Sequence, residues 1–147
     1  GYEGTTLDAV LAALRRADVT LLVDVRAVAM SRRPGFAKSR LAAGCEAAGI
    51  GYLHLRALGT PADGRAAARA GRHEEMRRIF AARLATAEAQ DALDTLEGIV
   101  AGGTRVALLC FEADARHCHR TLVAAALAAR RPVRVVDLDP ARDDGTD

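Results

Sequence analysis

The chain has 147 residues and a hydrophobic content of 50%, which fits one compact domain that buries about 70% of the surface of its unfolded chain. Aromatic residues amount to 3% and tryptophan is absent, so a platform of stacked rings for single-stranded nucleic acid is not expected. The net charge of +2 is far from the strongly basic balance of a general nucleic-acid binder. No run approaches the roughly 18 apolar residues of a membrane span, and together these features predict a soluble, cytoplasmic protein.

Short apolar segments alternate with segments of helical periodicity along the chain. Four strands are predicted, over residues 19–25, 50–55, 105–111 and 133–138. One helix is predicted to begin after the capping residue Thr5 or Thr6, and a second has an apolar side that holds Leu41, Cys45 and Ala48. Further helices are predicted over residues 73–84, 88–100 and 118–130. Residues 26–36 form a basic loop, and residues 56–72 lack periodicity and predict a long loop. Residues 140–147 are expected to form a flexible C-terminal tail, which leaves residues 1–139 as a single α/β domain.

This alternation predicts an α/β fold of three layers, with a mostly parallel sheet of four or five strands and helices on both faces, Rossmann-like or rhodanese-like in arrangement. In such sheets ligands bind beyond the carboxyl ends of the strands. Asp24, Arg26, His54 and Cys110 lie at or just after predicted strand ends. We therefore expect their side chains to face one crevice.

The three cysteines are an odd number without a dense framework, which predicts reduced intracellular thiols. Cys45 lies on the apolar side of a predicted helix and is expected in the core. Cys110 and Cys118 belong instead to the densest polar segment, residues 110–120 (CFEADARHCHR). Cys118 is predicted in the first turn of a helix, where the helix dipole and basic neighbours favour a thiolate.

Cys118 is accordingly the first candidate for a nucleophile and Cys110 the second, with Glu112 or His119 as proton carrier. The alternative is that both cysteines are small buried hydrophobes. A zinc site is disfavoured because the seven residues between the two cysteines match no usual structural spacing, so neither a metal nor a cofactor is predicted.

Asp24 ends a buried strand, and a carboxylate there needs a charged partner, which Arg26 or Arg120 would supply. A fixed ion pair and a catalytic acid or base are equally compatible with this position. The basic loop that follows has the arginines to hold a phosphate or carboxylate, although it also suits a solvated loop. The candidate ligand-binding residues are Arg26, Ser31, Arg32, Arg33, Phe36, His54 and Arg120.

Four blocks resemble, in order, the family called domain of unknown function 488, which occurs in bacteria and archaea. They are Gly1-Tyr2, LLVDVRAVAMSRRPGF at 21–36, YLHLRALGT at 52–60 and Cys-x-Glu-x5-Cys-His-Arg at 110–120. The resemblance implies a sheet of about five strands whose first strand is truncated at Gly1. It also implies one site that gathers Asp24, Arg26, Ser31, Cys110, Glu112, Cys118, His119 and Arg120. Ala29, where a proline is common, and the short Gly59-Thr60 turn depart from the family pattern.

A weaker resemblance is to rhodanese-type sulfurtransferases and cysteine phosphatases, because Cys110 to Arg116 reads Cys-x5-Arg after a strand. Two features argue against this resemblance. Glu112 and Asp114 would place carboxylates inside a loop that should bind an anion, and the loop has no glycine to turn its N–H groups inward.

The predicted function is that of a cysteine-dependent enzyme, a hydrolase or transferase, acting on a small anionic ligand such as a nucleotide, a phosphate or a nucleic-acid end. The alternatives are rhodanese-like sulfurtransferase or phosphatase-like chemistry, or a non-catalytic ligand- or metal-binding module whose polar network is structural. Neither sequence-specific reading of duplex DNA nor a membrane partner is expected, and no oligomeric state is predicted.

Overall fold

In the computed structural model, which describes residues 1–140, three short strands form a parallel sheet. The strands are β1 (Leu21–Asp24), β2 (Gly51–His54) and β3 (Val106–Leu109). β1 lies in the middle of the sheet, and Asp24 at its end is level with His54 on β2 and with Leu109 on β3. A central parallel strand is covered on both faces, which explains why this segment is apolar at nearly every position.

Helices surround this sheet within residues 1–140. They are α1 (Leu7–Arg16), α2 (Lys38–Ala47), α3 (Ala62–Arg69), α4 (His73–Leu84), α5 (Ala87–Ala101) and α6 (His119–Arg130), with short 3₁₀ helices at Arg56–Leu58 and Ala115–His117. None of these helices combines the length and apolarity needed to cross a bilayer.

The hydrophobic core has two parts because successive side chains of a strand point to opposite faces of the sheet. Leu22 of β1 belongs to a cluster with Leu14 of α1 and Leu41 of α2. Val23, the next residue, belongs to the other cluster with Phe80 of α4. Helices therefore cover both faces of the sheet, and the predicted α/β class is confirmed.

Helix α1 follows the sequence pattern closely. Val10, Leu11 and Leu14 are buried, and the Thr6 hydroxyl accepts a hydrogen bond of 3.2 Å from the backbone N–H of Ala9. This bond satisfies a donor that the first helical turn otherwise leaves free.

Replacing this cap by alanine, Thr6→Ala, is expected to lower the free energy of unfolding by about 1 kcal/mol. Thr6→Ser keeps a hydroxyl at the same position and serves as the matched control, with stability close to that of the original chain. Urea unfolding of the two variants measures the difference. Equal losses in both would mean that the cap does not stabilise α1.

The prediction of a structureless loop over residues 56–72 is wrong, because this segment contains a 3₁₀ turn and helix α3. The buried residues of α3 are small, Gly64 and Ala67, so the helix has no stripe of large apolar residues. A Cβ atom added at Gly64 would lie 3.1 Å from Ile79 Cγ2 of α4, which shows how closely the two helices approach. Hydrophobic periodicity does not detect a helix that packs through small residues.

The predicted fourth strand at residues 133–138 is also wrong for the described part of the chain, where this segment has no regular secondary structure. Val133 and Leu138 pack against the two core clusters, whereas Val135 and Val136 are 55% and 60% exposed. Its β-branched residues suit a strand, but a strand also needs a neighbouring backbone with which to pair. The described sheet thus has three strands, not four or five.

The beginning of the chain lies beside the end of β3. The backbone N–H of Tyr2 donates to Cys110 O at 3.3 Å, and that of Glu3 donates to Phe111 O at 2.8 Å. Pro140, the first residue of the predicted flexible tail, is buried, and residues 141–147 lie outside the described residues.

Candidate functional site

The polar residues singled out in the sequence meet at the carboxyl end of the sheet, on two sides of β1. Asp24 ends β1 and His54 ends the neighbouring β2, while Cys110 directly follows β3 on the other side. We call the first side, formed by Asp24, Arg26 and Tyr52, the carboxylate cluster. The second, formed by Cys110, Glu112, Cys118, His119 and Arg120, is the cysteine cluster.

The carboxylate cluster is built around a buried ion pair. Asp24 is 0% exposed and Arg26 is 6% exposed. The Arg26 guanidinium donates to both carboxylate oxygens, from Nε at 2.8 Å and from Nη2 at 2.7 Å, and its backbone N–H donates to Oδ1 at 3.1 Å. The Tyr52 hydroxyl donates to Oδ2 at 2.6 Å. Four donors therefore compensate the burial of this carboxylate.

These contacts fix the charge state of the cluster. Burial raises the pKa of Asp24, but the hydrogen bonds from Arg26 and Tyr52 and the charge of Arg26 outweigh it, so the pKa of this carboxyl lies below its ordinary value. Burial lowers the pKa of Arg26, and the hydrogen bond and charge of Asp24 reverse that effect and raise it. Burial, together with the hydrogen bond to Asp24, raises the pKa of Tyr52. The pair is ionised at neutral pH.

Arg26 also holds the basic loop against the sheet. Its Nη1 donates to Phe36 O at 2.7 Å and to the Tyr2 hydroxyl at 3.3 Å. Its guanidinium lies 5.5 Å from the centre of the Tyr2 ring, and that ring stacks on buried Phe36 at 4.3 Å. All three guanidinium nitrogens of Arg26 thus donate to protein groups. In this conformation Arg26 has no free nitrogen for the predicted contact with a ligand.

The other predicted ligand-binding residues of the loop make local contacts. Ser31 Oγ accepts a hydrogen bond from the Arg33 backbone N–H at 3.1 Å, and the Arg33 guanidinium donates to Thr5 O at 2.6 Å. Arg32 is exposed. His54 Nε2 lies 2.7 Å from the carbonyl oxygen of Arg26, where a carbonyl accepts, so this nitrogen carries the proton. Binding roles for these residues remain predictions.

In the cysteine cluster, Cys110 and Cys118 are joined in a disulfide. The prediction of reduced thiols is therefore wrong for this pair, while Cys45 is a free, buried cysteine as expected. The chain turns back after β3, and this brings the end of β3 next to the start of α6 although seven residues lie between the two cysteines. Cys110 and Cys118 are 1% and 2% exposed.

Cys118 lies one residue earlier relative to its helix than predicted. It is the N-cap of α6, not a residue of the first turn, and its Sγ accepts the backbone N–H of Arg120 at 3.4 Å. The expected interaction between this sulfur and the N-terminus of a helix is present in that form.

Arg120 is the cation of the cysteine cluster. Its Nη1 lies 3.2 Å from Cys110 Sγ and donates to Glu112 O at 2.6 Å, while Nη2 donates to Ala113 O at 3.3 Å. Burial lowers the pKa of Arg120 from its ordinary value, and nearby acidic groups including Glu112 oppose that effect. Glu112 Oε2 lies 3.5 Å from Cys110 Sγ. One sulfur therefore has a guanidinium and a carboxylate beside it.

His119 links the cysteine cluster to the backbone between Asp24 and Arg26. Its Nε2 donates to the carbonyl oxygen of Val25 at 2.7 Å, which leaves Nδ1 as an unprotonated nitrogen 3.9 Å from Cys118 Sγ. Burial, opposed by the bond to Val25 and helped by the charge of Arg120, lowers the pKa of His119 to about 4. The imidazole is neutral at pH 7 and stands against the Phe80 ring at 5.3 Å.

The loop after Cys110 does not have the arrangement of a sulfurtransferase or phosphatase cradle. The carbonyl oxygens of Glu112 and Ala113 point toward Arg120 as acceptors. Arg116, the last residue of the Cys-x5-Arg pattern, is 83% exposed and pairs with Asp114 at 2.8 Å.

Two tyrosines beside Arg26 and Asp24 were not predicted as site residues: Tyr52 of the carboxylate cluster, and Tyr2, which contacts Arg26. Tyr52 precedes His54 by two residues on β2, so the same alternation that places His54 at the strand end carried a signal for it. Tyr2 has no such signal, because its contacts with Arg26 and Phe36 depend on chain segments far apart in sequence.

Comparison with known proteins supports the sequence resemblance. A search of curated proteins and of solved structures finds no match. The family model described as "Domain of unknown function DUF488" matches residues 6–127, which include β1 to β3, the carboxylate cluster and the whole cysteine cluster. The chain therefore belongs to the family of domain of unknown function DUF488.

Proposed function

We propose that this chain is a cysteine-dependent redox enzyme in which Cys110 and Cys118 alternate between a dithiol and a disulfide. The substrate we propose is a small disulfide that carries negative charge. The observation that supports this function best is the meeting of two sulfurs from separate elements beside the guanidinium of Arg120.

The assignment keeps the predicted nucleophile and replaces the predicted hydrolase or transferase reaction. A hydrolase requires one free thiol, whereas the sulfur of Cys118 has a partner sulfur within bonding reach. Pairs of this kind exchange electrons through mixed disulfides.

The proposed oxidation of the protein takes two exchange steps. The Cys118 thiolate attacks one sulfur of the substrate disulfide and expels the other half as a thiolate. The Cys110 thiolate then attacks Cys118 Sγ, which forms the Cys110–Cys118 disulfide and releases the second half. Two electrons pass from the protein to the substrate, and the two protons lost by the cysteines are taken up by the two product thiols. The cycle closes when two molecules of a small thiol reduce the Cys110–Cys118 disulfide by the reverse exchange and leave as one disulfide.

Neighbouring groups have distinct roles in this cycle. The Arg120 backbone N–H at 3.4 Å stabilises negative charge on Cys118, which favours this sulfur as the attacking one. The Glu112 carboxylate at 3.5 Å accepts the proton of Cys110 before the second step. His119 is held neutral and orients the sulfur of Cys118, and Asp24 with Arg26 acts as a positioning pair.

Exposure and charge define the substrate class. Both cysteines are at most 2% exposed, so any substrate needs a local opening to reach the sulfurs, and a small molecule needs less of it than a folded protein. Arg120 is the charged group nearest to Cys110 in the contacts described above, and it favours an anionic small molecule.

Single-turnover kinetics test the proposal. The purified chain is reduced, freed of reductant and mixed with oxidised glutathione, an anionic disulfide, or with bis(2-hydroxyethyl) disulfide, a neutral one. We expect the protein to close its disulfide while two thiols are released per chain, and to react faster with the anionic probe. Arg120→Gln is expected to remove that preference.

Three variants separate the roles of the cysteines. Cys110→Ser should stop at a mixed disulfide that mass spectrometry detects as half of the probe on Cys118, and Cys118→Ser should not turn over. Cys45→Ala is the control and should react like the original chain, because Cys45 is buried in the other core cluster. Normal turnover in both serine variants, or a dithiol that fails to close, would contradict the proposal.

A further inference from the structure

The cysteine cluster contains more than a redox pair. Cys110, Cys118 and His119 each offer one ligand atom, and these atoms lie within 4.8 Å of one another. All three residues are buried, with exposures of 1%, 2% and 8%. Two sulfurs and one imidazole nitrogen form a ligand set of the kind that binds zinc in proteins.

The imidazole is already oriented for such a role. The hydrogen bond from Nε2 to Val25 O fixes the ring and its tautomer, so the lone pair of Nδ1 faces the side of Cys118. A zinc-binding histidine almost always donates its second nitrogen to a carbonyl or a carboxylate in this way.

We propose that the dithiol form of this chain binds one Zn²⁺ through Cys110 Sγ, Cys118 Sγ and His119 Nδ1, with water in the fourth position. The inference rests on the proposed function, because only the reduced pair has thiolates to offer. Closing the disulfide would release the ion, so zinc binding and redox state exclude each other.

The backbone spacing accommodates an ion. The Cα atoms of Cys110 and Cys118 are 7.4 Å apart, which is longer than the ~4.4–6.8 Å found for most disulfides. Two thiolates bound to one zinc ion at ~2.3 Å approach it from different sides. The present separation therefore allows both sulfurs to reach a shared ion once the bond between them is reduced.

Charge also balances around the proposed ion. Two thiolates and the Glu112 carboxylate bring three negative charges, and Zn²⁺ offsets two of them. The Arg120 guanidinium, 3.2 Å from Cys110 Sγ, offsets the third. On binding, the two thiols release their protons to solvent. This explains how a cation site and an arginine can occupy the same cluster.

The spacing of the two cysteines in sequence argued against zinc, because structural zinc motifs bring ligands together within short turns. Here the chain reversal between β3 and α6 supplies the proximity instead. The site thus depends on tertiary structure and not on a local motif.

The test uses the full chain with Zn²⁺ alone as the probe, in the dithiol form and in the disulfide form. Native mass spectrometry and elemental analysis should find one zinc ion per dithiol chain and none on the disulfide form. Replacement of zinc by Co²⁺ should give the absorption of a tetrahedral site with thiolate-to-metal charge transfer. Equal zinc on both forms would overturn the inference.

Variants complete the test. His119→Gln keeps a donor for Val25 O while it removes the ligand nitrogen, and Cys118→Ser removes a thiolate, so both should lose bound zinc. His117→Gln, at a partly exposed histidine two residues away, is the control and should keep it. Thermal unfolding of the zinc-free chains verifies that each variant is folded, and zinc binding in a folded His119→Gln chain would contradict the assigned ligand.

The same samples distinguish the two proposals. Alkylation followed by mass measurement reports whether the cysteine pair is reduced and reoxidised. If the pair cycles but holds no zinc, the zinc inference fails and the proposed redox function stands. If the pair cannot be reduced in the folded chain, both are overturned.

Discussion

Asp24→Asn is expected to lower the free energy of unfolding by about 3–5 kcal/mol, the loss typical for removal of one partner from a buried ion pair. The asparagine has nearly the same shape as aspartate, but it leaves the Arg26 guanidinium, which is 6% exposed, without its counter-charge. The asparagine side chain also places an amide N–H₂ donor against the donors of Tyr52 and Arg26. Urea unfolding of the disulfide-closed chain measures this loss.

The chain contains a matched control for this prediction. Asp114 and Arg116 repeat the Asp-x-Arg spacing, and the arginine donates from its backbone N–H, Nε and Nη2 to the carboxylate in the same pattern. This second pair lies at the surface, with Arg116 83% exposed. Asp114→Asn is therefore expected to change stability little, because water solvates both charges. Similar losses in the two variants would refute burial as the cause.

The stability of the disulfide-closed chain is expected to fall as the pH is lowered from about 6.5 to about 4, with His119 contributing up to about 1.4 kcal/mol per pH unit. The pKa of His119 is about 4 in the folded chain, below the value of an exposed histidine, mainly because of burial. The unfolded chain thus binds more protons across this interval. The contribution of His119 is fully present above pH 6.5 and is lost progressively on acidification.

Several groups around His119 set the size of this effect. The Val25 carbonyl and the charge of Asp24 favour the protonated ring, whereas burial and the charge of Arg120 disfavour it. His119→Gln should show a shallower dependence on pH than the original chain, and His117→Gln, at a histidine that is 44% exposed, is the matched control. Parallel curves for all three chains would show that His119 does not titrate as the structure implies.

Sequence patterns were informative where packing uses large apolar side chains. The apolar segment that became β1 and the stripe of Val10, Leu11 and Leu14 in α1 both report burial directly. These patterns did not indicate α3, because its buried residues are the small Gly64 and Ala67. At residues 133–138 they misled, since β-branched residues indicate an extended backbone but not a partner for it.

In the candidate site, too, some contacts were predictable from the sequence and others were not. Asp24 and Arg26 lie two residues apart, so the alternation of side chains along a strand predicted that they could pair. The sequence did not decide whether Asp24 is part of a structural ion pair or a catalytic group. The disulfide between Cys110 and Cys118 was missed because cysteine counts reflect the cellular compartment, while a bond between two sulfurs depends on their distance.

The amino-acid sequence alone indicated the α/β class, a mostly parallel sheet and the polar segment that contains the cysteine cluster, because hydrophobic pattern and strand ends are local properties. The tertiary structure decided which charges are paired, which cysteines meet and which nitrogen of His119 is free. These depend on segments such as Val25 and α6 that are distant in the chain and become neighbours only when the core closes. Burial is then expected to set how much each ion pair contributes to stability, since the same Asp-x-Arg unit is buried at Asp24 and exposed at Asp114.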